Sequence, residues 1–206
     1  MMKLTNCLLL IFATFLVACY SPTSEAEKSQ AQTAEEQGPY VNEELKWAIQ
    51  VPKGFKSLSS KRLVEKEKKG KEVIKKATGE NAGTDSLIHL VNFQKNQFNQ
   101  LSATMQRYNA KRDGVYSGNI KLMRKLIYEA YTKQKIKIDT TSGREKIDGL
   151  TFYTYYVKIY GPNGDVVMNQ IIYSRLRDGY DFLVNINYNN GTDKKALLDA
   201  FKNSSF

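Results

Sequence analysis

Between Leu45 and Val51 the apolar residues Leu45, Trp47, Ile49 and Val51 alternate with Lys46, Ala48 and Gln50, the period of a strand with one buried face. Pro52-Lys53-Gly54-Phe55 ends it in a turn. Ser59 or Ser60 then caps a predicted helix to about Thr78, with Leu63, Val64, Val73 and Ile74 as a thin apolar stripe and Gly79 as its stop. Leu87 to Phe93 is apolar on both sides, which predicts a central strand covered above and below. Leu101 to Arg107 returns beside it after the Asn-rich turn Lys95 to Gln100. A helix starting at Ser117 to Asn119 carries Ile120, Met123, Ile127 and Ala130 at helical spacing, and Lys135 to Asp139 reads as a short strand. Leu150 to Tyr160, Val166 to Leu176 and Tyr180 to Tyr188 are three long strands joined by the turns Gly161 to Asp165 and Asp178-Gly179. Gly191-Thr192 leads into a closing helix with Leu197, Leu198 and Phe201 on its inner side. The sum is an α+β fold: a single antiparallel sheet with helices packed on it.

Ahead of this domain the chain has a different character. Lys3 and the apolar run Leu8 to Val17 form a short export signal, too short for the roughly 20 apolar residues a membrane span needs. It ends in Leu16-Val17-Ala18-Cys19, and the segment resembles bacterial lipoprotein signal peptides. That resemblance implies cleavage before Cys19 and acylation of Cys19 with fatty acids such as palmitate. Several acyl chains anchor stably, since each buried methylene contributes about 0.8 kcal/mol. Tyr20 stands where an aspartate marks inner-membrane retention in such lipoproteins, which points to the outer membrane. Residues 20–39 are dominated by Ser, Thr, Glu, Gln and Ala with no larger aliphatic side chain, the composition of a disordered tether. Three regions follow: a signal peptide over 1–18, a lipidated Cys19 with its tether over 19–39, and a globular domain over 40–206.

Charge and cysteine content narrow the chemistry. The chain carries a net +10. Lys3 lies in the signal and residues 19–39 carry a net −3, so the domain itself stands at +12. Export and the absence of a nucleic-acid motif argue against DNA or RNA, leaving an anionic membrane face or a solvated lysine surface. With Cys7 in the signal and Cys19 acylated, the mature domain has no thiol for zinc, redox or nucleophilic work. His89 is the single histidine; on strict alternation it shares a side with Leu87, Val91 and Phe93, which suits a core histidine better than a general base. No phosphate-cradling glycine motif and no calcium-loop spacing occurs. The chain is therefore expected to be non-enzymatic, with no catalytic residue, metal or cofactor.

The strand ending Val51-Pro52-Lys53-Gly54-Phe55, the helix and core strand after it, Ile147-Asp148-Gly149-Leu150-Thr151-Phe152 opening a meander, and the final Asn203-Ser204-Ser205-Phe206 look like the PsbP-like fold. That family includes photosystem-associated PsbP and the Ran-binding nuclear-import release factor. The resemblance implies an α/β/α sandwich and a binding or assembly accessory acting on an envelope protein partner, with the membrane engaged through Cys19. The alternative is a glycan- or small-ligand-binding lipoprotein. Its candidate surface is Tyr- and Asn-rich: Tyr153 and Tyr155 share a side of one strand, Asn169 and Tyr173 of the next, Asn185 and Asn187 of the third. If those sides coincide, rings stand beside amides in a way that suits glycan or peptide recognition; a mixed solvent face is the competing account.

Overall fold

The computed structural model describes residues 38–58 and 87–206. The signal, Cys19, the tether up to residue 37 and the helix expected from Ser59 or Ser60 to Thr78 lie outside the described residues. β1 (Tyr40–Asn42) and β2 (Trp47–Ile49) form a small antiparallel hairpin. A seven-stranded sheet, antiparallel throughout, holds β3 (Lys56–Ser57), β4 (Leu87–Gln94), β5 (Gln100–Arg107), β6 (Ile138–Ile147), β7 (Leu150–Tyr160), β8 (Val166–Arg177) and β9 (Tyr180–Tyr188). Their spatial order is β3-β4-β5-β9-β8-β7-β6. The short α1 (Ala110–Asp113) and the long α2 (Tyr116–Lys133) carry the chain from β5 to β6 at the far edge, and α3 (Gly191–Lys202) follows β9.

The crossover decides where the helices lie. After β5 the chain must reach the opposite edge, so α2 is laid over the β6–β8 half of one sheet face. Its Ile120, Met123, Ile127 and Tyr131 pack on Tyr155, Val157, Ile159, Met168, Ile172 and Leu183. The meander then returns to pair β9 with β5, and α3 folds back over the other face with the β1–β2 hairpin. There Leu197 and Phe201 join Trp47, Phe93, Leu101, Phe152, Ile171, Tyr173, Phe182, Val184 and Ile186. The result is a helix–sheet–helix sandwich.

An aromatic cluster centres the α3 face. The Trp47 ring lies edge-on to Phe182 at 5.0 Å and stacks on Phe206 at 6.2 Å; Phe152 meets Phe201 at 5.7 Å and Phe206 at 5.5 Å. The buried indole N–H of Trp47 donates to Ser204 Oγ at 3.0 Å, and Ser204 Oγ donates in turn to the Phe201 carbonyl at 2.6 Å. Ala48 and Ser205 exchange backbone hydrogen bonds of 2.9 and 3.1 Å.

Three expectations need correction. The strand expected over Leu45 to Val51 shrinks to Trp47–Ile49 and stands outside the main sheet. The hairpin turn with Asn42 Oδ1 accepting from the Leu45 N–H at 2.8 Å occupies its first part. The short strand expected over Lys135 to Asp139 is instead the ten-residue β6, an edge strand exposed along most of both sides, so no apolar period marks it. It joins β7 through Asp148-Gly149, both at positive φ, which makes the meander four strands long. β4 is not central: it lies one strand from the edge, beside the two-residue β3.

Trp47→Ala should cost about 3–5 kcal/mol, because it empties the centre of the aromatic cluster and leaves Ser204 Oγ without its donor. Urea unfolding of the variant against the parent measures the loss; a change under about 1 kcal/mol would show that the cluster is not the keystone.

Candidate functional site

The strand registers assign every side chain to a face. On the α2 face, one row of residues runs Gln94, Gln100, Asn187, Gln170 and Val157 across five neighbouring strands. The next runs Asn92, Ser102, Asn185, Ile172 and Tyr155. Then come His89, Thr104, Leu183, Ser174 and Tyr153, and finally Leu87, Gln106 and Asp181. Strands stand roughly 4.8 Å apart and same-face neighbours along a strand roughly 6.7 Å apart. Tyr155, Val157, Ile159, Met168 and Ile172 of β7 and β8 lie under α2, while the β4–β5–β9 half, with Gln170 and Ser174 of β8, is rich in amides and hydroxyls.

This polar field is buried. Asn187 and Gln170 are 0% and 1% exposed, Asn185 2%, and Gln100, Gln106 and Asn92 at most 8%. Among the described residues nothing hydrogen-bonds Asn92 Oδ1, Gln106 Oε1, Gln170 Oε1, Asn185 Oδ1 or either polar atom of the Asn187 amide. A buried polar atom left without a partner costs about 1–3 kcal/mol. Six such atoms on one face represent a cost comparable to the roughly 5–15 kcal/mol by which a domain is stable. Their exposure is too low for surrounding solvent to supply the missing bonds.

A second amide cluster supplies the contrast. Asn99 Nδ2 donates to Asn96 Oδ1 at 3.0 Å and to Asn189 Oδ1 at 2.9 Å, and its Oδ1 accepts from the Asn189 N–H at 3.0 Å. Asn190 caps α3 by accepting from the Asp193 N–H at 2.9 Å, and it donates to Asp193 Oδ2 at 2.8 Å. Lys95 closes the network on Asp193 Oδ1 at 2.7 Å. Burial opposes ionisation of Asp193, yet these hydrogen bonds and the Lys95 charge bring its pKa below the usual carboxylate range. Here the amides are structural and matched; on the α2 face the six atoms named above have no partner among the described residues.

The six residues singled out from sequence divide between the faces. Tyr153, Tyr155, Asn185 and Asn187 lie on the α2 face, but Asn169 and Tyr173 lie on the α3 face, so the three strand sides do not coincide. Tyr173 is a core residue whose hydroxyl donates to Glu145 at 3.0 Å while its ring sits 4.8 Å from Phe201. Tyr155 is buried under α2 with the Arg124 guanidinium 5.7 Å over its ring, and Tyr153 is covered by Arg144 at 4.8 Å and flanked by Tyr116 at 6.0 Å. The tyrosines are therefore engaged, and only the Asn185–Asn187 pair belongs to the buried polar field. Alternation within β9 found that pair. Gln170 and Asn92 were missed because they pass for ordinary polar strand residues until the register brings them beside it.

His89 is also corrected. A β-bulge between His89 and Val91 shifts the register, so Val91 and Phe93 turn to the α3 face while His89 stays opposite Thr104 among the polar residues. Strict alternation cannot anticipate an inserted residue. Among the described residues no three His, Cys, Asp or Glu side chains are grouped to hold a metal, and no helix is long and apolar enough to cross a membrane.

At the Gln106 end, Asp181 Oδ1 accepts from the Tyr116 hydroxyl at 2.7 Å. Burial pushes its carboxyl up to about 6; the Tyr116 hydrogen bond opposes this and the Asp113 charge adds to it. The folded protein thus holds this proton more tightly than the unfolded chain, so the contribution of Asp181 to stability falls as pH rises from about 4 to above 6. Asp181→Asn should therefore gain stability relative to the parent across that window, by up to about 3 kcal/mol. Denaturant unfolding at several pH values measures the difference; a constant difference would mean that Asp181 has an ordinary pKa.

No family model matches the chain, and no curated protein matches its sequence. Among solved structures, its fold is similar to the solution structure of cyanobacterial PsbP (CyanoP) from Synechocystis sp. PCC 6803, with a TM-score of 0.50 at 10% identity. The match covers 89% of this chain and 96% of that one. The fold is PsbP-like, and the α+β sandwich expected from the sequence stands.

Proposed function

We propose that this protein is a non-catalytic binding module, held on the cell envelope by a lipid on Cys19, and that the amide field of the α2 face is its ligand site. The observation that carries the proposal is the set of buried amide atoms on that face with no partner among the described residues. Buried polar groups in folded proteins are almost always matched. A group left unmatched at such cost has a use elsewhere, and the plain use for a cluster of neutral donors and acceptors is to hydrogen-bond a ligand. Each of these atoms is closed to solvent, so none of them can meet a protein docked on the surface. Assembly with an envelope protein, which the fold resemblance suggested, would have to use another surface.

Anchoring and binding are tested separately. Cys19→Ala should move the protein from the membrane fraction to the soluble exported fraction and abolish palmitate labelling. Retention of both would remove the lipoprotein reading. Asn187→Leu should stabilise the unliganded domain by about 1–3 kcal/mol, since an isosteric apolar side chain relieves the unmatched amide. Asn99→Leu, which breaks the matched network, should destabilise it by a similar amount. If Asn187→Leu also destabilises by more than about 1 kcal/mol, the amide is structural and the site reading fails.

A further inference from the structure

We propose that the outer edge of β6 is a docking strand that takes up an extended, acidic segment of a partner protein by strand addition. This surface is independent of the amide field. A sheet edge presents unpaired N–H and C=O groups, and proteins blunt it by shortness, proline, a bulge or a covering element. One edge of this sheet uses shortness: β3 has two residues. β6, at the other edge, has ten. It contains no proline, and its register with β7 runs from Ile138 opposite Ile159 to Ile147 opposite Leu150 without a shift. Every residue over 139–144 is exposed, which leaves that stretch open to an incoming strand. Its centre, Thr140-Thr141-Ser142-Gly143, carries no charge. In an antiparallel strand alternate residues turn their N–H and C=O to opposite sides, so about five residues of β6 point theirs outward. Among the described residues no backbone hydrogen bond is made to that side.

Charge selects the occupant. On the α3 face of β6 stand Asp139, Thr141, Gly143 and Glu145. Both carboxylates are engaged: Asp139 accepts from the Tyr160 hydroxyl at 2.5 Å, and Glu145 accepts from the Tyr173 hydroxyl at 3.0 Å and pairs with Lys202 at 2.5 Å. On the α2 face stand Thr140, Ser142, Arg144 and Lys146, with no carboxylate among them. Arg144 lies 4.8 Å over Tyr153, and among the described residues neither Arg144 nor Lys146 forms an ion pair. Arg124 of α2 adds a cation one strand further in, 5.7 Å over Tyr155. The open charge of the edge is thus positive and confined to one face. An added strand places every second side chain on that face, roughly 5 Å from its neighbour on β6. Two acidic residues separated by one position meet both Arg144 and Lys146. The residue between them is uncharged, because a further carboxylate opposite Glu145 is repelled. A second copy lacks this match. Two-fold pairing of two β6 edges brings like faces together, and the α2 face of β6 has no carboxylate to offer the cations of the other.

The test uses the full-length lipidated protein in a zwitterionic detergent. Backbone amides of β6 are followed by nitrogen–proton correlation spectroscopy and by hydrogen exchange as short capped peptides are added. One peptide alternates glutamate with valine. A second carries lysine in place of glutamate. A third is the glutamate peptide N-methylated at every amide, which keeps the charge and removes the donors. The glutamate peptide should shift the β6 amides and slow the exchange of the outward ones, and the other two should do neither. Arg144→Glu combined with Lys146→Glu should weaken binding of the glutamate peptide about tenfold and let the lysine peptide bind, since two cross-strand attractions become repulsions. Both side chains are exposed, and the peptide comparison on the parent protein stands even if this variant fails to fold. Equal binding of the N-methylated peptide would mean charge attraction without strand addition, and equal binding of the lysine peptide would remove the acidic partner; either result overturns the proposal. So would a lack of any peptide effect. Outward β6 amides already protected in the free protein would overturn it too, by a second copy if protection rises with concentration and by another segment of this chain if it does not. None of these failures touches the amide field.

Discussion

The register of β9 between β5 and β8 is the constraint on which everything else hangs. Phe182, Val184 and Ile186 on one side pair with Met105, Ala103 and Leu101, while Leu183, Asn185 and Asn187 on the other pair with Thr104, Ser102 and Gln100. Both sides are buried. A slip of one residue would drive Asn185 and Asn187 into the aromatic cluster and turn Phe182 toward the amides, reversing every side chain at once. The Trp47–Phe182 contact therefore does more than stabilise: by fixing which side of β9 is apolar, it leaves the opposite side for polar groups.

Much of the fold was legible because it rests on that alternation. The strands Leu150–Tyr160, Val166–Arg177 and Tyr180–Tyr188 lie where the period of two placed them, and Asp178-Gly179 joins the last two at positive φ as its residue types predict. α2 and α3 bury Ile120, Met123, Ile127, Leu197 and Phe201, the positions that helical spacing picked out. What alternation missed was structure lacking a buried side or breaking the period. β6, with Thr140, Thr141, Ser142 and Gly143 at its centre, is an edge strand with almost nothing to bury. The bulge at β4 put Val91 and Phe93 on the opposite side from His89, with which counting had grouped them.

The site was legible only in part, for a different reason. A sequence shows which residues of one strand share a side, but the relation between sides of different strands depends on pairing, which turn lengths fix only between neighbours in the chain. Asn169 and Asn185 read as companions until the β8–β9 register set Asn169 opposite Tyr188 and Asn185 opposite Ile172, on opposite faces. Asn92 could not have been joined to Asn185 at all, since β4 reaches β9 only through β5 and the long crossover follows in between.

The tyrosines drew attention in the sequence, and the structure accounts for them without a ligand. Arg107 lies 4.6 Å over Tyr180, Arg144 4.8 Å over Tyr153, Lys137 4.8 Å over Tyr160 and Lys194 5.5 Å over Tyr188. Each such contact contributes about 0.5–1 kcal/mol at an exposed site, and each places a cation on an aromatic face that a sugar or peptide would otherwise use. Part of the basic charge of the domain is thereby taken up within the molecule, at the rims of the sheet. The rings and the cations satisfy one another, while Asn92, Asn185, Asn187 and Gln170 of the α2 face keep amide atoms with no partner among the described residues. Of the two residue types that made this sheet look like a binding surface, the asparagines and not the tyrosines retain unused bonding capacity.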